Sequence, residues 1–234
     1  MSDPHLFIKY SLQEAGLLLL GAVYAARLIW LHTRFRSATD RQPMNERRGA
    51  GPLRGGVYSL GVLGMPWHLE SARKHPFVYA QFIALHMGIA AALVLSFILP
   101  YAPGWLSIPP FTGVVTATIA IGILAAFLRL HRRITAPFLR AVNTVDDYLS
   151  LGLLTVWLSL ALLSVTTRGA DTPIQSAFFL LTAFFLFYVP FSKISHYLYY
   201  PFARYLLGRT LGWRGVYPLA RVPIAQPKRS QRPR

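Results

Sequence analysis

The sequence predicts an all-α integral membrane protein, a bundle of five transmembrane helices. Three observations predict it. Of 234 residues, 54% are hydrophobic and only 14% charged, whereas a soluble chain of this length needs a larger polar surface. Five apolar segments reach the roughly 20 residues that a helix needs to cross a bilayer. Basic residues gather on alternate connections between those segments, as they do on the cytoplasmic side of membrane proteins. The chain has no Cys, which excludes a disulfide framework and any zinc or iron–sulfur centre held by its own thiolates.

The first segment is about Tyr10 to Leu31, the second about Pro76 to Leu99, and the third about Phe111 to Leu130. The fourth is about Tyr148 to Val165 and the fifth about Gln175 to Tyr200. Met1 to Lys9 lacks a basic leader and a small-residue cleavage site, so the first apolar run is expected as a retained helix. Val57 to Met65 is too short to span and carries two glycines, which suits an interfacial or re-entrant piece. Thr144 and Asp147 have the spacing of a capping box opening the fourth helix, with Asp146 and Asp147 on the positive end of its dipole. Pro100, Pro103 and the pair Pro109–Pro110 separate the second helix from the third, and Pro201 is expected to end or kink the fifth. On the second helix Ala80, Ala84, Gly88, Ala92 and Ser96 recur every four residues, a ladder that lets a neighbouring helix approach closely.

Charge sets the expected orientation. Twenty-two of the 24 Lys and Arg fall on one side of this arrangement, and only Lys9 and Arg168 on the other. The first and third connections and the C-terminus are therefore expected in the cytoplasm and the N-terminus outside. The net charge of +16 then reads as a topology determinant and not as a nucleic-acid footprint. Residues 211–234 read as a basic cytoplasmic tail, solvated or touching anionic lipid or an acidic partner. No internal repeat supports an inverted-repeat transporter.

Ionisable residues within a span are functional candidates. Of seven histidines, two fall inside the predicted spans: His86 in ALHMGIAAAL and His196 in PFSKISHYLYYP. His86 is roughly 15 Å along its helix from Pro76, and His196 roughly 7 Å before Pro201. Two imidazoles at similar depth on different helices can clamp the iron of a b-type haem; alternatively each bonds a neighbouring carbonyl or hydroxyl. His86 points away from the small-residue ladder, which leaves its face for a cofactor. Glu14 reads as an interfacial carboxylate, or as a proton acceptor for a quinol. Phosphate-binding glycine loops, the HExxH pair and the GxSxG elbow are absent, and no residue is assigned as catalytic.

Three stretches carry a family resemblance. LHRRITAPFLRAVNTVDDYLSLGLL (Leu130 to Leu154) is similar to the loop and fourth helix of the gamma subunit of respiratory nitrate reductase. FYVPFSKISHYLYYPFARYL (Phe187 to Leu206) resembles that family's motif, PFS followed by a basic residue and a histidine, and ALHMGI around His86 resembles its second helix. The resemblance covers about residues 10 to 210, so residues 1–210 are expected to form a transmembrane cytochrome b domain.

Members of that family, including membrane subunits of heterodisulfide-reductase-like and sulfite-reduction-associated complexes, pass electrons between membrane quinone and a cytoplasmic iron–sulfur subunit. The resemblance implies a multi-pass protein of the cell's inner membrane, with His86 and His196 as axial ligands of one haem b. Ser96 and Phe178 stand where the family places the ligands of a second haem, which implies a single bis-histidine haem here. Arg129, Arg132, Arg133 and Lys193 are candidates to pair with haem propionates. Tyr79, Tyr188 and Ser192 are candidates to frame a quinone headgroup, or are ordinary interfacial side chains. Expected partners are cytoplasmic iron–sulfur oxidoreductase subunits, membrane lipid and quinone, with no nucleic acid. The alternatives are a cofactor-free membrane anchor or transporter subunit, and a cytochrome that relays electrons without meeting quinone.

Overall fold

A computed structural model describes residues 4–37, 52–62, 65, 67, 70–167 and 172–212. The described residues are all-helical, with no strand among them. A helical turn α1 (Pro4–Leu6) and a π-helical turn (Phe7–Ser11) lead into α2 (Leu12–Ser37), followed by α3 (Pro52–Gly61) and α4 (Glu70–Lys74). Then come α5 (Pro76–Tyr101), α6 (Pro109–Thr135), α7 (Pro137–Val142), α8 (Val145–Thr166), α9 (Pro173–Tyr188) and α10 (His196–Gly212). Five stretches are long and apolar enough to cross a membrane: Pro4–Arg34, Pro76–Tyr101, Pro109–Thr135, Val145–Thr166 and Pro173–Phe191. The chain divides into two compact units, Met1–Thr39 with Ser71–Ser195, and Asp40–Glu70 with His196–Arg234.

The first unit holds all five spans. In it α6 packs on α5 and on α8, α8 on α9, and α9 on α2. The buried positions of α5 are Gln81, Leu85, Gly88, Ala92, Leu95 and Leu99. They alternate four and three residues apart, the 3.5-residue seam of helices packed knobs-into-holes. Opposite them α6 buries Val115, Ile119, Gly122 and Ala126 with the same alternation. A Cβ on Gly88 would lie 2.8 Å from the Gly122 Cα, and one on Gly122 equally close to Gly88, so the two backbones touch. The expected ladder is thus half right. Gly88 and Ala92 sit in the seam, whereas Ala80 is exposed, because a strict four-residue repeat drifts off a seam that advances by 3.5.

Aromatic packing joins α8 to α9. Phe178 is fully buried and stacks on Trp157 at 5.8 Å between ring centres, while Trp157 Nε1 donates to Thr182 Oγ1 at 2.8 Å. Along α2 and α9, which run parallel, Gln13 Nε2 donates to the Phe179 carbonyl at 2.6 Å and Arg27 donates to the Pro190 carbonyl. Between these bonds, a Cβ on Gly16 would lie 2.9 Å from Leu186 Cβ.

The fifth segment departs from expectation. Its span ends at Phe191, not Tyr200, and His196 opens a separate helix. The cause is local. Ser192 adopts an extended backbone (φ −105°, ψ 173°), and its hydroxyl accepts from the Ile194 N–H at 3.2 Å. That serine turn competes with helix continuation after Pro190. Pro201 ends nothing: it lies inside α10, which continues to Gly212. Pro100 likewise sits inside the last turn of α5, while Pro109 and Pro110 open α6.

The second unit is built on the pairing of α3 with α10. Gly56 faces the Tyr205 ring, where an added Cβ would come within 2.7 Å of it. A Cβ on Gly208 would meet the Gly55 carbonyl and stand 2.5 Å from Ser59 Cβ. Ser59 is fully buried there, and Arg204 Nη2 donates to its carbonyl at 3.3 Å. Of the segment expected to be interfacial or re-entrant, Val57 to Gly61 form the second half of the ten-residue helix α3. The basic tail from residue 213 onward, His68 and Arg168 lie outside the described residues.

Candidate functional site

His86 stands three turns into α5, on the face away from the Gly88 seam, and its side chain is exposed on this chain. Its Nδ1 is 2.7 Å from the Phe82 carbonyl one turn earlier. A carbonyl only accepts, so Nδ1 carries a proton, and in the neutral ring the lone pair then sits on Nε2. That is the tautomer of a metal-ligating imidazole, in which one nitrogen donates to a backbone carbonyl and the other faces the metal. The Phe82 ring lies 4.1 Å from the imidazole and stacks in turn near Tyr79 at 6.0 Å, which limits the orientations open to the imidazole.

His196 is the first residue of α10 and is exposed. It belongs to the second compact unit and His86 to the first. The serine turn at Ser192 is what places His196 at a helix start instead of within a span.

The basic candidates divide by their partners. Lys193 Nζ donates to Thr144 Oγ1 at 2.8 Å and lies 3.3 Å from Asp147 Oδ2 and 4.0 Å from Asp146 Oδ2. Arg133 Nη1 donates to the Asp147 carbonyl at 2.7 Å, and Tyr148 Oη donates back to the Arg133 carbonyl at 3.1 Å. Tyr188 Oη donates to Asp146 Oδ1 at 2.7 Å. These residues tie the end of α6 and the segment after α9 to the start of α8. Asp147 also accepts from the Thr144 N–H at 2.8 Å, as the capping-box spacing predicts, and from the Thr144 hydroxyl at 2.8 Å.

The other two arginines differ. Arg129 is half-buried one turn before Arg132 and Arg133, and no carboxylate pairs with it among the described residues. Arg132 is exposed. Sequence reasoning treated Asp146 and Asp147 as capping groups only; their pairing with Lys193 and Tyr188 spans more than 40 residues and left no local signal.

The positions of the quinone candidates are equally specific. Tyr188 is committed to Asp146, Ser192 to its own turn, and Tyr79 is half-buried on α5 beside Phe82. At the opposite end of the bundle, Tyr101 Oη donates to Glu14 Oε1 at 3.4 Å and Tyr10 Oη donates to the Pro100 carbonyl at 3.1 Å. Ser96 is half-buried and donates to the Leu93 carbonyl at 2.7 Å, while Phe178 fills the core beside Trp157. No protein family, curated protein or solved structure matches this chain.

Proposed function

We propose that this protein is a haem b-containing membrane subunit that carries electrons between membrane quinone and a cytoplasmic iron–sulfur oxidoreductase. The observation that carries the reading is His86: a histidine inside an apolar span, held through Nδ1 by the Phe82 carbonyl. An ionisable side chain within a span is a functional candidate by default. A b-type haem would take two neutral imidazoles, and the pair that the family resemblance names for it is His86 and His196. The haem, when bound, supplies reversible one-electron transfer.

The chain's own residues do the rest. His86 and His196 would hold the haem, and the Phe82 carbonyl fixes the first imidazole. Arg129 and Arg132, which have no carboxylate among the described residues, are the cations best suited to the propionates. Arg133 and Lys193 act one step back, by fixing the start of α8 to α6 and α9. In this reading the basic ends face the cytoplasm, the N-terminus lies outside the inner membrane, and the basic loops steer an acidic partner surface by complementary charge. Support for the partner class comes from the PFSK…H motif and the His86 segment that resemble the nitrate reductase gamma family.

The test is a reduced-minus-oxidised absorption spectrum of the purified protein and of His86→Ala and His196→Ala, followed by reduction with a quinol in place of dithionite. A bis-histidine b-type spectrum lost in both variants, and reducible by quinol, is expected. A spectrum unchanged in either variant removes that residue as a ligand. Haem reduced by dithionite but not by quinol supports a protein-to-protein relay, and no haem leaves a cofactor-free anchor.

A further inference from the structure

The pairing of α3 with α10 buries one side of α3 and leaves another side apolar and uncovered. Gly55, Gly56, Ser59 and Val62 face inward. Leu53 and Val57 are 68% and 59% exposed, and with half-buried Leu60 they recur at i, i+4 and i+7, one stripe of a helix. Exposed Arg54 lies on the polar flank of that stripe. On α10, exposed Tyr200 and Leu207 repeat at i and i+7, and exposed Trp67 follows α3 by six residues. Apolar residues on one face, arginine beside them and aromatics nearby are the composition of a helix that lies in a membrane interface.

Two further facts select the occupant. The segments that make this unit, Asp40–Glu70 and His196–Arg234, hold twelve Lys or Arg and three Asp or Glu, a charge that complements an anionic surface, and Arg54 and Arg209 are exposed. The last span ends at Phe191 and α10 begins at His196. Five residues reach at most about 18 Å, so the first residue of α10 is leashed within that length of chain to the end of the last span. A lipid leaflet supplies both chemistries there, without diffusion.

We infer that the α3–α10 pair is an interfacial platform that inserts the Leu53–Val57–Leu60 stripe into the headgroup layer and binds anionic phospholipid through Arg54. The inference is independent of haem: it uses neither His86 nor any ligand.

The absence of Cys makes the test direct. In the full-length protein, single Leu53→Cys, Arg54→Cys, Val57→Cys and Leu60→Cys variants carry a nitroxide in nanodiscs of phosphatidylcholine with phosphatidylglycerol. Collision with lipid-soluble oxygen and with a water-soluble nickel chelate is then measured. Labels at 53, 57 and 60 are expected to favour oxygen several-fold over the label at 54, and to gain nickel access several-fold in phosphatidylcholine alone. Nickel access at 57 equal to that at 54 overturns the inference, because the stripe is then solvated. Protection from both reagents also overturns it, since a protein or a second copy then covers the stripe. An unchanged oxygen preference in phosphatidylcholine alone overturns the anionic-lipid binding.

Discussion

Two glycine contacts in this molecule use one device on different surfaces. Gly88 against Gly122 brings α5 and α6 together inside the span bundle, and Gly208 against Gly55 and Ser59 brings α10 onto α3 in the basic unit. In the first, the residues turned outward are Ile83, Met87, Val94, Phe97 and their like, apolar all round. In the second, the outward residues mix Leu53 and Val57 with Arg54 and Arg209. Close backbone approach is therefore indifferent to the solvent. What distinguishes the spans from the α3–α10 pair is the coat, and within the apolar coat His86 is the residue out of character.

The comparison can be broken at its contacts. The largest effect is expected at Gly208→Leu, because the new side chain meets backbone at Gly55 and has nowhere to move. Overpacking of this kind costs about 3 kcal/mol. Limited proteolysis should show cleavage near α3 while the span bundle keeps its melting temperature.

Gly88→Val should cost about 1–3 kcal/mol by the same physics, but in the other unit, so unfolding in detergent should shift while α3 stays protected. Equal loss in both regions for either variant would mean that the two units do not fold separately. Thr182→Val should cost about 1–2 kcal/mol by leaving the buried Trp157 N–H without its acceptor, seen as a lower detergent-unfolding midpoint and a shifted Trp emission.

Lys193→Ala sharpens the comparison most gently. The ammonium is more than half exposed beside Asp147, so its loss should change stability by less than about 1 kcal/mol. If Lys193 held a haem propionate instead, the same variant would shift the haem midpoint potential; a redox titration separates the two.

The five spans were legible because length and apolarity are summed properties, insensitive to any one residue. The capping box at Thr144 and Asp147 was legible because it is a three-residue relation. The break at Ser192 was not. The apolar run continues through it, and the decision rests on one hydroxyl outcompeting a helical bond between Pro190 and Ile194. The pairing of α3 with α10 was equally hidden, since Gly55 and Gly208 lie 153 positions apart and nothing periodic links them. Of the candidate site, the sequence supplied both histidines. It did not supply the Phe82 bond that sets the His86 tautomer in this fold, nor the Asp146 and Asp147 partners that occupy Lys193.

The most direct test of the central claim is the haem content per chain, by pyridine haemochrome against protein concentration, in the intact protein and in His86→Ala produced with ample haem. One haem b per chain, falling to none in the variant while its helical content and melting temperature stay unchanged, is the expected result. A folded, haem-supplied protein with no haem, or a His86→Ala variant that keeps its full complement, would contradict it.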